Sequence, residues 1–503
     1  MYTRIKYYWQ YRPLESIIFI AAIIRLLAAI FSKGYAMSDD HFVVVHTAQR
    51  WVDGYNNWFD TDQPSHHSLV YPGLHYIFFY LLKTIGITDP QFKMLLVRLI
   101  HAGYSMLIVY YGYLITLKLS NERNAKQVGI ILSLFWVLPF MSVRNLIEVV
   151  CIPPMLIGYY LSLIGNEKGK NKYWLYTGLT FGIAFVFRYQ TLLLTGSIAL
   201  VLLFKQQWKK LYCYAIGVIL TIFFIQGMVD WIAWGYPLAS FFQYIGFNIE
   251  HRFDYTIGPW YKYVLIIIGV FIPPISFLLI YGVGRMWRKI EIMFWPVLIF
   301  LIFHSYFPNK QERFMLPILP FIIILGIIGL NDILTTSKFW KYHKKLIKGS
   351  WIWFWIINSI FLVLFTFTYS KRSLVESFTY LSEKDDLNGL IIEYNRDNMP
   401  WFPRYYLTKK VPIYRFSINK SGEQFKETII SAKAEFPNYI LFFGNEDIEN
   451  RIKRIERLFV VQLEFDQRIN PSLIDSILYA LNPKHNRNLT SLIYKIVDFQ
   501  RLE

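Results

Sequence analysis

The sequence predicts a multispan α-helical membrane protein that carries a soluble α/β domain at its C-terminal end. Three observations predict it. The 503-residue chain is 55% hydrophobic and 19% aromatic with a positive mean hydropathy, whereas soluble domains average about 45–50% apolar on a looser count that includes glycine. Apolar runs approaching the roughly 20 residues needed to cross the hydrocarbon recur throughout residues 1–370. After Tyr369 the pattern changes to short strands alternating with polar helices.

Taken in order, the apolar runs give eleven expected spans, near residues 14–32, 94–117, 128–143, 146–164, 173–187, 191–204, 211–233, 261–283, 292–307, 315–330 and 351–369. Arg4, Lys6 and Arg12 precede the first run and no small-residue cleavage site follows it, so it reads as an uncleaved anchor. Loop charges test the assignment, because Lys and Arg collect on the cytoplasmic side. Arg123 and Lys126, Lys168 to Lys172, Lys205 to Lys210, Arg285 to Lys289 and Lys338 to Lys348 fall on one face. The opposite, non-cytoplasmic face then receives a first external loop at 33–90, the turns at Arg144 and Arg188, the loop 235–260, the segment His304–Arg313 and everything after residue 370. The run Leu69–Ile87 would invert every later loop if it crossed, and is expected to be an interfacial or re-entrant helix.

The net charge of +18 follows the same division. Residues 371–503 hold 20 Lys/Arg against 18 Asp/Glu, while residues 1–370 hold 32 against 16. The excess sits in loops between apolar runs, which excludes a nucleic-acid-binding patch. Cys151 and Cys213 lie in or beside apolar runs and are expected to be reduced, packed thiols.

Beyond the transmembrane domain 1–370, an extracytoplasmic α/β domain is expected over 371–503. Strands are placed at 389–394, 411–416, 439–444 and 458–465, with helices at 421–435, 446–457 and 472–481. It holds no catalytic motif, and acceptor recognition or support is its expected role.

The first external loop opens on Ser38-Asp39-Asp40-His41. Adjacent acids there can cap a helix running from Asp40 to Val52, and an ionised carboxylate can also serve as general base toward a hydroxyl. Arg25, inside the first span, either makes a structural ion pair or snorkels toward a phosphate or carboxylate near Asp39. A second constellation, His304-Ser-Tyr-Phe-Pro-Asn-Lys310-Gln-Glu312-Arg313-Phe314 with Pro317 and Pro320, gathers two cations, a carboxylate and a histidine where the topology expects few charges. Lys310 and Arg313 suit a phosphate-bearing lipid. Arg144 and Glu148 have the spacing of a helix-surface pair, whereas Arg188 has no local partner and is a further phosphate candidate. His41, His46, His66 and His67 match no standard metal spacing, so no metal is expected. No P-loop, dinucleotide fingerprint or nucleophile elbow is present, and no cofactor is expected.

These residues resemble the Alg9-like mannosyltransferases, multispan C-type glycosyltransferases that build lipid-linked and glycosylphosphatidylinositol glycans. The family's acidic first loop is matched by Ser38-Asp39-Asp40-His41-Phe42, Ala48, Gly54, Trp58, His67-Ser68 and Tyr71-Pro72. Its later motif is matched by Asn309-Lys310-Gln311-Glu312-Arg313-Phe314, Pro317 and Pro320. Departures occur at Ser38, Asp40, His67, Asn309 and Gln311. The resemblance implies transfer of mannose from a polyprenyl-phosphate donor to a hydroxyl of a glycan or glycolipid, with inversion. It implies Asp39 as base, with Asp40 in support. Arg25, His41, Trp58, His67, Arg188, His304, Lys310, Glu312 and Arg313 are the expected substrate-binding residues. A transporter or flippase of a lipid-linked glycan would use the same charges without covalent chemistry, and a binding module on a membrane scaffold is a third reading.

Overall fold

The computed structural model describes residues 2–38, 40–55, 63–394, 401–417, 421–431, 436–481, 483 and 489–497, with the backbone alone for residues 2–6, 40 and 430. The described residues divide into two compact units, drawn from 1–30, 50–81 and 96–367 and from 31–49, 82–95 and 368–503.

The first unit is helical. All eleven stretches expected to span are helical, and among the described residues six helices are long and apolar enough to cross a membrane: Pro13–Phe31, Pro90–Leu119, Ile147–Lys168, Trp208–Trp234, Glu312–Thr336 and Lys344–Thr366. The expected span 261–283 is instead a bent pair, Lys262–Val270 and Ile275–Arg285, at 115° to one another. Pro273 and Pro274 lie at the break, where each removes a backbone donor and the rings clash with a continuing helix. Counting that pair as one crossing gives seven. Glu291–Tyr306 and Tyr189–Phe204 are apolar but shorter, and Leu69–Ile87 forms the helix Val70–Thr84.

Two glycine contacts set the helix spacing in this unit. A Cβ on Gly178 would lie 2.1 Å from the Tyr214 carbonyl oxygen, and one on Gly217 would lie 2.2 Å from that of Leu175. Helices Lys172–Phe187 and Trp208–Thr221 therefore touch backbone to backbone, as small residues permit in membranes. Gly282, Gly326 and Gly329 do the same for Ile275–Arg285 and Leu319–Thr336. Arg25 is buried and donates from Nε to Ser105 Oγ at 3.0 Å, from Nη1 to the Ser133 carbonyl at 3.3 Å and from Nη2 to that of Leu132 at 3.1 Å. Its fork ties helix Pro13–Phe31 to Pro90–Leu119 and Glu122–Leu134, where unsatisfied donors in hydrocarbon would be costly.

The second unit carries a five-stranded sheet: β1 (Leu390–Tyr394), β2 (Ile413–Ser417), β3 (Tyr439–Phe443), β4 (Gln462–Ile469) and β5 (Ser491–Val497). The order is β2-β1-β3-β5-β4, with β1 parallel to β2 and β3, and β5 antiparallel to β3 and β4. Parallel central strands are covered on both faces and read as continuous apolar runs, and β1 and β3 are buried along their whole length. The core joins Ile391, Phe416, Ile440, Phe442, Ile455 and Leu492. Sequence patterning located the first three strands and the helices Gly422–Ser431, Ile448–Phe459 and Leu473–Leu481. It placed β4 too early, because the preceding helix continues to Phe459 and stops where Val460 takes φ 55°. It missed β5 and the helix Arg372–Ser382.

Glu393, on β1, is buried in this sheet and paired with Arg451, whose Nε donates to its Oε2 at 2.9 Å; Nη1 and Nη2 reach the carbonyls of Gly444 and Phe443 at 2.8 and 3.0 Å. Removing one partner strands a buried charge. Arg451→Met is expected to cost about 3–5 kcal/mol, and Glu393→Gln on the same chain to recover part of it, read from the denaturant unfolding of the purified protein.

Candidate functional site

Three polar groupings hold most of the described residues singled out in the sequence, Arg25 lying apart from them. The first is in the membrane-helix unit and is centred on Glu148. The helix Ile147–Val150 begins after Arg144, so these two residues never share a helix surface and the expected i,i+4 pair does not form. Glu148 Oε1 is instead bound by Arg188 Nη1 and lies 3.5 Å from Arg313 Nε. Arg188, expected to lack a local partner, caps the end of helix Lys172–Phe187, and its Nη2 also donates to Gln190 Oε1. Its guanidinium stands 5.2 Å from the Phe314 ring centroid, and Arg313 Nε donates to Gln311 Oε1 at 2.8 Å. The grouping holds two guanidiniums against one carboxylate, all largely buried. The buried Arg188 Nε and Glu148 Oε2 have no hydrogen-bond partner among the described residues.

The segment His304–Arg313 adjoins it. Lys310 is buried, and its ammonium donates to the carbonyls of His304 at 2.8 Å, Ser305 at 2.6 Å and Phe307. Those three bonds use every donor the group has. They satisfy carbonyls that helix Glu291–Tyr306 leaves open at its C-terminus, where a cation also suits the helix dipole. Lys310 is therefore a helix cap in this arrangement. Glu312 pairs with Lys262 at 2.9 Å, and Lys262 also donates to the Lys310 carbonyl at 2.9 Å. His304 is buried among Tyr263, Phe300, Phe303 and Phe314. Its Nδ1 faces the Phe300 carbonyl at 2.9 Å, so Nδ1 carries the proton and Nε2 presents a lone pair with no partner among the described residues. Lys262 escaped sequence reasoning, although a cation opening a helix on the face expected to be poor in them was a usable signal.

The second grouping, in the same unit, surrounds Asp230. Its Oδ1 accepts from Gln226 Nε2 at 2.9 Å and from Ser240 Oγ, and its Oδ2 accepts from the Ser240 amide at 3.1 Å. Gln226 Oε1 accepts from Ser68 Oγ at 2.8 Å, beside His67. The His67 amide bonds Ser65 Oγ at 3.1 Å and its ring packs on His66. Asp230 is the sole acid of its apolar run, and that alone marks it as a candidate.

The third grouping belongs to the sheet-bearing unit. The helix expected over 40–52 is present as Asp40–His46, wound as a π-helix, followed by Thr47–Val52; such windings occur often at functional sites. His41 is buried between the rings of Tyr35 and Tyr406, at 4.7 and 5.6 Å and nearly parallel to both. Burial, with His46 nearby, pushes its imidazole down to about 3. Asp39 and Trp58 lie outside the described residues, and the Asp40 side chain is not described. Among the described residues no three His, Cys, Asp or Glu converge as a metal site.

Two predictions follow from these geometries. A double-mutant cycle on Glu148→Ala and Arg188→Met should give a coupling of about 1–3 kcal/mol in unfolding stability. His41 binds a proton more readily when unfolded, so its contribution is intact above its ordinary pKa of 6.5 and becomes unfavourable as pH falls toward about 3. Between pH 7 and 4.5 the unfolding free energy should fall about 2–3 kcal/mol further for the natural chain than for His41→Phe.

The chain matches the model of the Alg9-like mannosyltransferase family over residues 16–389. It is 24% identical to GPI mannosyltransferase 3 of Saccharomyces cerevisiae over 209 residues, covering 39% of this chain and 33% of that protein. With GPI alpha-1,2-mannosyltransferase 3 of Homo sapiens it shares 22% identity over 371 residues, 72% of this chain and 63% of the relative. The matched region thus spans about a third of the yeast protein and under two thirds of the human one. In fold it is similar to ArnT from Cupriavidus metallidurans bound to undecaprenyl phosphate, with a TM-score of 0.56, 13% identity and coverage of 95% of this chain and 97% of that one. It is also similar to the Archaeoglobus fulgidus oligosaccharyltransferase tethered to an acceptor peptide, with a TM-score of 0.52, 10% identity and coverage of 90% and 71%.

Proposed function

The chain belongs to the Alg9-like mannosyltransferase family, and from that premise we propose that it is a membrane enzyme that moves mannose from a polyprenyl-phosphate carrier to a hydroxyl of a glycan or glycolipid. The observation that carries the proposal is the family match itself, which takes in both the acidic loop around Asp39 and the segment ending at Arg313. A carrier of this kind keeps its chains in the bilayer and its phosphosugar at the surface, which calls for charged groups at helix ends. The fold similarity to a protein bound to undecaprenyl phosphate supports that donor class.

In this reading Asp39 takes the proton of the acceptor hydroxyl as its oxygen attacks the anomeric carbon and the carrier phosphate leaves, so the centre inverts. Asp40 supports it. Arg188 and Arg313 face the phosphate and stabilise the leaving group. The lone pair at His304 Nε2 accepts a substrate hydroxyl, and Lys310 shapes the segment without touching substrate. The chemistry occurs on the non-cytoplasmic side, opposite the basic loops, and acceptor recognition or support is the role assigned to the sheet-bearing unit.

The test uses the purified full-length protein with radiolabelled polyprenyl-phosphate mannose and a panel of glycolipid acceptors. Asp39→Asn should lower transfer at least about 100-fold, with donor binding retained, and Asp40→Asn should lower it less. Undiminished transfer by Asp39→Asn removes it as base. Movement of a lipid-linked glycan across vesicles with no new glycosidic bond would replace the enzyme by the transporter reading.

A further inference from the structure

The loops whose charges set the basic face also build an open cavity of about 920 Å³ within the membrane-helix unit. Its lining includes five cations, Arg123, Lys289, Lys341, Lys344 and Lys348, and one carboxylate, Asp332. Asp332 is already held by Lys289 at 2.6 Å and by Arg285 at 2.9 Å. That leaves Arg123, Lys341, Lys344 and Lys348 without an ion-pair partner among the described residues. Lys344 and Lys348 are one helical turn apart in Lys344–Thr366, where like charges at this spacing destabilise the helix.

The remaining polar lining is ordered by contacts among its amides. Asn121 caps helix Glu122–Leu134, its Oδ1 accepting from the Asn124 amide at 2.9 Å. Asn331 Nδ2 donates to Asn124 Oδ1 at 2.8 Å and to Gln127 Oε1 at 2.7 Å. A structured cavity with four unpaired cations is complementary to a group carrying several anionic oxygens. The exposed Tyr342 beside the cavity and Trp340 in its lining are the residue types enriched at the level of lipid headgroups. Ile328 and Ile347 add an apolar wall able to meet the start of an acyl chain.

We propose that this cavity binds the phosphate of an anionic ligand, supplied either by a phospholipid headgroup or by free inorganic phosphate. Occupancy would offset the repulsion among Arg123, Lys341, Lys344 and Lys348 and so tie helices Glu122–Leu134 and Lys344–Thr366 together. The site is separate from the Glu148 grouping and shares no residue with it.

Native mass spectrometry of the full chain in detergent, titrated with phosphatidylglycerol against phosphatidylcholine, tests the lipid arm; a thermal-shift series in millimolar inorganic phosphate tests the other. The variant Arg123→Gln/Lys341→Gln/Lys344→Gln/Lys348→Gln should bind phosphatidylglycerol at least about tenfold more weakly, or lose the phosphate-dependent rise in Tm, whichever source applies. A control that removes the same charge outside the cavity, Lys209→Gln/Arg288→Gln/Lys338→Gln/Lys345→Gln, should keep the response. Equal loss in both variants reduces the effect to the general charge of this face and overturns the site. So does equal binding of phosphatidylcholine and phosphatidylglycerol without a phosphate response, or full binding by the cavity variant.

Discussion

The carboxylate of Glu148, enclosed with Arg188 and Arg313, is the constraint from which the rest of the first unit's polar architecture follows. A buried carboxylate is tolerated only where cations and donors replace its water. Here they come from the turn after helix Lys172–Phe187 and from the 3-10 turn Glu312–Ile318. Three segments far apart in the chain are thereby fixed at one point, and their backbones can vary little without stranding a charge. Within it the Arg188 Nε has no hydrogen-bond partner among the described residues, so the group that organises the fold also holds a buried donor able to meet an anion.

Lys310 shows why residue type must be weighed against geometry. In sequence, Lys310 and Arg313 both read as phosphate ligands, the arginine bidentate and the lysine a point charge. In the structure the lysine is a compact cation enclosed by three carbonyls at a helix end, while the arginine can bond Gln311 and still approach Glu148. Both of those contacts are made by Nε of a guanidinium that carries five donors, whereas an ammonium enclosed by three acceptors is fully used. The motif therefore combines a residue that shapes the turn with one that meets charge.

Periodicity and composition made the helices and the buried strands legible, because an apolar run or a fully covered strand such as β3 writes its environment into every position. What they could not supply is which distant residue completes a polar pair. Arg144 and Glu148 have helical spacing, yet the helix starts at Ile147 and the partners of Glu148 lie beyond residue 187. The bent pair around Pro273 was readable from the prolines but was overridden by the length of the apolar run. Strand β5 was missed because it sits beyond a polar interval and pairs antiparallel with β3, a contact with no local signature. Asp230 and Lys262 are charges out of place that sequence reasoning passed over, and only their partners show how each is satisfied.

The basic loops carry a related lesson about one property serving two ends. Topology depends on how many Lys and Arg flank the membrane helices and is nearly indifferent to where each side chain points. A binding cavity depends on convergence: four cations must reach the same space while the available carboxylate is engaged elsewhere. Lys338 and Lys345 satisfy the first requirement alone, since neither lines the cavity, whereas Lys341, Lys344 and Lys348 satisfy both. Selection on orientation would permit lysines to drift among loop positions. Selection on a site would hold these three and Arg123 in place, and the separation of the two sets on one short segment makes the two demands physically distinguishable.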